Sequence, residues 1–249
     1  MAIRPVDIAR KLGISTTTLR KYEKWGLTPP VPRSATRYRE YTDEHVAYFI
    51  CLREMLHGFT LKQIAEIFRE VMALKTDTAL WMANKAQADL HRKKRITEKI
   101  VQNFLQPNNS RNEANRCLLT INDVSRETGI PVSTIRYWDQ VGLISARRCS
   151  SNHYRMFTDD HVRQVLAIYA LKLSVFANGR KHSIRHIREE LREFNPDDRS
   201  RIMKMTETIR QYLNQVNRAQ IRGISALYHL CRQVETNQFD QHEVSSKQS

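Results

Sequence analysis

Long apolar runs, paired cysteines, glycine-rich loops and clustered metal ligands are all missing from this sequence of 249 residues. No uninterrupted apolar stretch approaches the ~18 residues that a membrane span needs. The start, Met-Ala-Ile-Arg-Pro-Val-Asp, lacks the core of a secretory signal. A cytoplasmic protein with no membrane partner is expected. The four cysteines, Cys51, Cys117, Cys149 and Cys231, include no Cys-x-x-Cys and no Cys/His pair at zinc spacing, so no metal site is expected. Cys51 and Cys231 fall on apolar helical faces and read as core residues, whereas Cys149 lies in a basic loop. No glycine-rich phosphate loop and no Ser, His and Asp set in a recognisable local motif is present, so neither an enzyme nor a cofactor is expected.

What the chain has in excess is positive charge. Forty-one basic against 26 acidic side chains leave +15, spread as +4 over residues 1–72, +5 over 73–117, +4 over 118–195 and +2 over 196–249. A polyanionic partner suits such a balance, although charge alone does not separate nucleic acid from a soluble basic protein.

The chain also writes one pattern twice. Thr17-Thr18-Leu19-Arg20-Lys21-Tyr22-Glu23-Lys24-Trp25-Gly26-Leu27 returns 116 residues later as Ser133-Thr134-Ile135-Arg136-Tyr137-Trp138-Asp139-Gln140-Val141-Gly142-Leu143. The offset holds without a gap from Gly13-Ile14 and Gly129-Ile130 to His45-Val46 and His161-Val162. Two copies of one module are therefore expected, at 1–72 and 118–195. A connecting helix and linker occupy 73–117, a long helix 196–236 and a disordered tail 237–249.

In the first copy, Val6, Ile8, Ala9 and Leu12 recur at helical spacing and Gly13 breaks the run, with Ser15 or Thr16 able to cap the next helix. Helix, glycine turn, helix is the helix-turn-helix pattern, whose second helix enters the major groove. Spacing turns Leu19, Tyr22 and the Trp25 ring inward and Thr16, Thr17, Arg20, Lys21 and Lys24 outward. Arginine can bond guanine bidentately, threonine can touch a thymine methyl, and lysine favours phosphate. Pro29, Pro30 and Pro32 then bar helix, and the segment from Arg33 through Arg37, Tyr38 and Arg39 to Tyr41 reads as a basic hairpin, or wing. Arg39 is expected to pair with Glu23, leaving Arg33 and Arg37 for DNA. Thr42 and Thr60 are expected to cap two further helices, and His45 and His161, each in a first helical turn, read as packing or capping residues.

Taken together, Gly13-Ile14-Ser15, Thr18-Leu19-Arg20-Lys21-Tyr22-Glu23, Gly26-Leu27, Arg37-Tyr38-Arg39 and Gly58-Phe59-Thr60-Leu61-x-x-Ile64 resemble the DNA-binding domain of the MerR family over residues 3–71. The resemblance implies a winged helix-turn-helix and contacts from Thr17, Arg20, Tyr22, Arg37 and Tyr38. A family aromatic is replaced here by Lys21. It further implies double-stranded DNA bent or untwisted between half-sites, RNA polymerase as a second partner, and a long helix that pairs antiparallel in a dimer. No effector-binding domain is expected.

The second copy offers Val132, Ser133, Arg136, Tyr137, Trp138 and Gln140 on its reading helix and Arg147, Arg148, His153 and Tyr154 in its wing. Seven additional residues precede Ser183, the counterpart of Thr60. From Ala79 to Leu105 there is neither glycine nor proline, and apolar residues recur at three- and four-residue steps, so one long helix is expected. Asn195 as cap and Pro196 as first residue announce another. The expected fold is mainly α: two tandem winged helix-turn-helix domains, each followed by a long helix, the helices pairing as an antiparallel coiled coil. The expected function is that of a sequence-specific, nucleoid-associated transcriptional regulator acting as a monomeric pseudo-dimer. An architectural, segregation or excision-type DNA-binding protein is the alternative.

Overall fold

The computed structural model describes residues 3–105, 118–148, 155–178 and 183–239, except for the side chain of Arg148. Two compact units divide the chain, one of residues 1–89 with 215–249 and one of residues 90–214. The expected linker with Cys117, the wing tip with Cys149, part of the extended loop, and residues 240–249 lie outside the described residues.

The first unit opens with α1 (Pro5–Leu12), and Pro5 suits a first helical position because its missing N–H would have no partner there. Gly13 ends it at φ +63°, and Ile14 N–H reaches back to Ala9 O at 3.0 Å. A side chain at that φ would press its Cβ on its own backbone, so the tight turn needs glycine. α2 (Thr16–Lys24) follows, capped by Ser15, whose hydroxyl accepts from Thr18 N–H at 3.1 Å. Gly26 at φ +65° lets Leu27 N–H bond Tyr22 O, closing the helix end and turning Leu27 into the core.

α3 (Asp43–Met55) and α4 (Leu61–Met72) complete the module. The first of these starts with a capping box in which Thr42 N–H donates to His45 Nδ1 at 3.1 Å. The second uses Thr60 with Gln63, so two orphan donors are satisfied reciprocally at each helix start. Tyr48, Phe49, Leu52, Ile64, Phe68 and Val71 are sealed inside. The same core takes Ala79, Ala83 and Ala86 from α5 (Thr76–Leu105) and Leu227, Leu230, Cys231 and Val234 from α10 (Arg199–Glu235). There Thr76 Oγ1 donates to Glu235 at 2.6 Å and Gln87 Nε2 to Gln220 at 2.8 Å.

The second unit repeats the plan with α6 (Ile121–Thr128), α7 (Val132–Gln140), α8 (Asp159–Ala177) and α9 (Ile184–Arg192). Gly129 and Gly142, at φ +78° and +71°, reproduce the two left-handed turns. Val124, Ile135, Trp138, Phe157, Val165 and Ile168 form its core with Ile96, Ile100 and Phe104 of α5 and Ile202 of α10. Lys99 donates to the last carbonyls of α6, at Arg126 and Glu127, where a cation favours the helix dipole. Each module start is tied to the residue after its wing by a matching bridge, Ile3 to Tyr41 and Leu119 to Phe157.

Three boundaries differ from expectation. α5 begins at Thr76 because Leu74, at φ +59°, turns the chain after α4 with Lys75 N–H bonded to Glu70 O, and Lys75 O then accepts from Ala79 N–H in the first helical turn. α10 begins at Arg199 and not Pro196: Asn195 Oδ1 accepts from Asp197 N–H in a local turn, and Asp198 receives the Arg201 N–H as the working cap. Gln238 and Phe239 are helical, with Phe239 half-buried against the first core, which corrects the expectation of disorder at 237–239. Among the described residues no helix is long and apolar enough to cross a membrane.

Candidate nucleic-acid interface

α2 owes its strip to a simple division of faces. Leu19 is anchored in the core, so Thr17, Arg20, Lys21 and Lys24 point out and are exposed, with Thr16 half-buried at the first turn. On α7, Ile135 plays the anchor and Ser133, Arg136, Tyr137 and Gln140 are exposed, while Val132 is half-buried. Tyr137 keeps 48% of its surface.

Two members of the expected contact set lie elsewhere. Tyr22, 6% exposed, packs its ring 6.3 Å from that of Phe49, and Trp138, 2% exposed, fills the second core beside Tyr169. Both are corrections, with one cause: a residue three places after the buried Leu19 or Ile135 returns to the same helical face. Trp25 departs in the opposite direction. Expected to turn inward, it is 50% exposed because the helix ends there and the turn at Gly26 carries it off the buried face.

α2 and α7 each contain one acidic side chain, and each is held by the arginine of its own wing. Arg39 Nε meets Glu23 Oε2 at 2.6 Å, with both side chains about three-quarters buried, and Arg155 meets Asp139 in the same register. The Glu23 hydrogen bond raises the Arg39 guanidinium above its ordinary pKa. The consequence is electrostatic as well as structural: the pair staples wing to helix and neutralises the carboxylate that would repel a polyanion.

The first wing is built on a turn in which Arg37 N–H donates to Ser34 O at 2.8 Å and Tyr38 N–H to the Ser34 hydroxyl at 3.1 Å. Arg37 itself sits at φ +63°, an uncommon conformation for a side-chain-bearing residue. Arg33 and Arg37 are exposed, as is Tyr38, at 75%. In the second module β1 (Arg147–Arg148) pairs antiparallel with β2 (Arg155–Met156), and Arg147 is exposed. His153 and Tyr154 lie outside the described residues, as does the side chain of Arg148.

Histidine and cysteine serve other ends here. His45 and His161 accept at Nδ1 from the N–H of the capping threonine, at 3.1 Å in each module, and His161 Nε2 lies 3.4 Å from Ser145 O at the wing base. Burial raises the Cys51 thiol well above its usual pKa and pushes Cys231 up to about 11, so both stay protonated and unreactive near neutral pH. Among the described residues no group of three His, Cys, Asp or Glu could hold a metal ion.

A helix-turn-helix with a short basic wing, present twice in one polypeptide, defines the class of the fold and its exposed surface. The chain belongs to the MerR HTH family of regulatory proteins, whose profile matches residues 3–71 and 119–193. The chain is similar to the HTH-type transcriptional regulator CueR of Salmonella typhi, 37% identical over 62 residues, 24% of this chain and 45% of the relative. It is similar to CueR of Yersinia pestis, 34% identical over 85 residues, covering 34% and 58%. A probable heavy metal-dependent transcriptional regulator of Haemophilus influenzae is 37% identical over 62 residues, covering 24% and 48%. The chain thus spans about half the length of these relatives. No solved structure matches.

Proposed function

We propose that this chain is a sequence-specific transcriptional regulator that grips double-stranded DNA as an intramolecular pseudo-dimer. The carrying observation is the duplicated arrangement of α2 and α7: an exposed strip with an arginine at the same register, its one carboxylate locked by a wing arginine, and a basic wing alongside. In this reading α2 and α7 enter major grooves of one duplex, with Thr16, Thr17, Arg20, Lys21 and Lys24 on one half-site. Val132, Ser133, Arg136, Tyr137 and Gln140 contact the other. Arg33, Arg37 and Tyr38 of the first wing, and Arg147 with Arg148, His153 and Tyr154 of the second, lie on the sugar-phosphate backbone.

Pairing of α5 with α10 within one polypeptide supplies what a second copy supplies in a homodimer. The hydrogen bonds Thr76 to Glu235 and Gln87 to Gln220 favour that pairing. RNA polymerase at the bound promoter is the second partner, and the nucleoid is the place of action. Arg20→Ala and Arg136→Ala should each lower specific affinity by about 1–3 kcal/mol, read by fluorescence anisotropy on a duplex selected from random DNA. Unchanged footprints in both variants would remove the reading helices from the interface. Light scattering at micromolar concentration should give one chain per particle, and a dimer would displace the pseudo-dimer.

A further inference from the structure

The duplicated modules keep one register and one net charge, +4 over residues 1–72 and +4 over 118–195, but distribute that charge differently, and three of the exchanges fall on the helix-turn-helix surface. At the offset of 116 residues, Lys11 becomes Glu127, Lys21 becomes Tyr137 and Lys24 becomes Gln140, while Arg10 and Arg20 return as Arg126 and Arg136. All six substituted positions are exposed, so none of these exchanges answers to core packing. Helices α1 and α2 carry five basic side chains against two acidic ones; α6 and α7 carry two against three. The first pair is therefore at +3 and the second at −1. Arginine is the one cation common to the two reading strips, and both wings keep basic residues, so the asymmetry resides in the helices.

We infer, resting on the DNA-binding reading above, that the two modules divide the work: the first anchors the protein on phosphate and the second selects the base sequence. Lysine ammonium is a compact point charge on a flexible stem, suited to phosphate and poor at distinguishing base edges. Lys21 and Lys24 lie three residues apart, so they present neighbouring ammonium groups along one edge of α2. At the same places α7 presents a phenol and a carboxamide. These donate and accept in fixed directions and add no charge, so what they contribute depends on which base edge or methyl group they meet. Glu127, standing where Lys11 stands in the first copy, repels phosphate at the helix that would cross the backbone. Discrimination is a difference of affinities, so phosphate contacts that hold every sequence alike add nothing to it, and it rests on directional groups such as those of α7.

The test is salt-dependent binding of the full chain to duplexes selected from random DNA, followed by sequencing of the bound pool. Each phosphate contact contributes about 0.9 to the slope of log K against log salt. Lys21→Gln with Lys24→Gln should shrink that slope by about 1.8 and weaken every sequence by the same factor. Tyr137→Ala with Gln140→Ala should leave the slope unaltered and flatten the base preference of one half-site. The selected operator should be asymmetric, with more strongly specified positions on one side. An unchanged slope in the lysine variant, a reduced slope in the neutral variant, or a symmetric inverted repeat would overturn the division of labour. Absence of any salt-sensitive duplex binding by the parent protein is a separate result, and it would overturn the DNA-binding reading itself. Both variants alter exposed side chains only, and a thermal melt matching the parent verifies that the fold is kept.

Discussion

At the scale of single residues, the recurring Thr and His of the capping boxes do more than their composition advertises. His45 is buried against Tyr41, its ring centroid 5.7 Å from the tyrosine ring, and its Nδ1 must stay unprotonated to accept from Thr42 N–H. Burial is the main cause that holds its pKa below the ordinary histidine value. Because the folded-state pKa is the lower one, the unfolded chain takes up the proton first as pH falls. The contribution of His45 is complete above the unfolded value of about 6.5 and is lost as pH drops through the folded one. Thermal unfolding followed between pH 8 and 5 should therefore show Tm decreasing on the acid side. His45→Gln, which keeps a side-chain acceptor for the capping box but cannot titrate, should flatten that dependence. An equally steep profile in the variant would assign the acid sensitivity to other groups.

At the scale of elements, Gly13 and Gly58 are needed for different reasons. Gly13 adopts φ +63° with open space where a Cβ would stand, so Gly13→Ala meets only backbone strain, worth roughly 1 kcal/mol. Gly58, between α3 and α4, faces α10 so closely that a Cβ would come within 2.6 Å of Gln220 N. The Gln220 carboxamide also donates to Gly58 O at 3.0 Å. Backbone cannot yield as a side-chain tip does, so Gly58→Ala should cost about 1–3 kcal/mol, by overpacking, and should disturb α10 locally. Urea unfolding of the two variants separates these causes. Similar losses with no change in amide exchange around Gln220 would refute the close-contact account.

At the scale of the whole molecule, the first core is assembled from both ends of the chain. Leu227 is fully buried among residues of α3 and α4 although more than 150 positions separate them in sequence. Leu227→Ala should cost about 2–5 kcal/mol, the range for a large-to-small change in a packed interior. Hydrogen exchange should report the loss in α3 and α4 as well as in α10. Protection lost from α10 alone would show that the N-terminal module holds its core without the C-terminal helix.

Much of this was legible from residue order. The duplicated register, the glycines at both left-handed turns and the capping threonines follow from local chemistry, because helix periodicity, capping and turns depend on residues a few places apart. The Glu23 to Arg39 pair, 16 positions apart, follows from opposite charge on adjoining elements. Which residues of α2 and α7 are exposed was legible except where α2 ends. Trp25 leaves the buried face where its helix stops, while Tyr22 and Trp138 follow the helical period onto the face of Leu19 and Ile135. Where α10 begins was decided by competition between Asn195 and Asp198 for nearby amides, which spacing alone cannot rank. Which core would claim Leu227 and Cys231 was settled only by tertiary packing, since an apolar stripe specifies that it must be covered and not by what. That is the physical division for this protein: neighbours along the chain dictated the elements and their repetition, while contacts across long separations chose the partners.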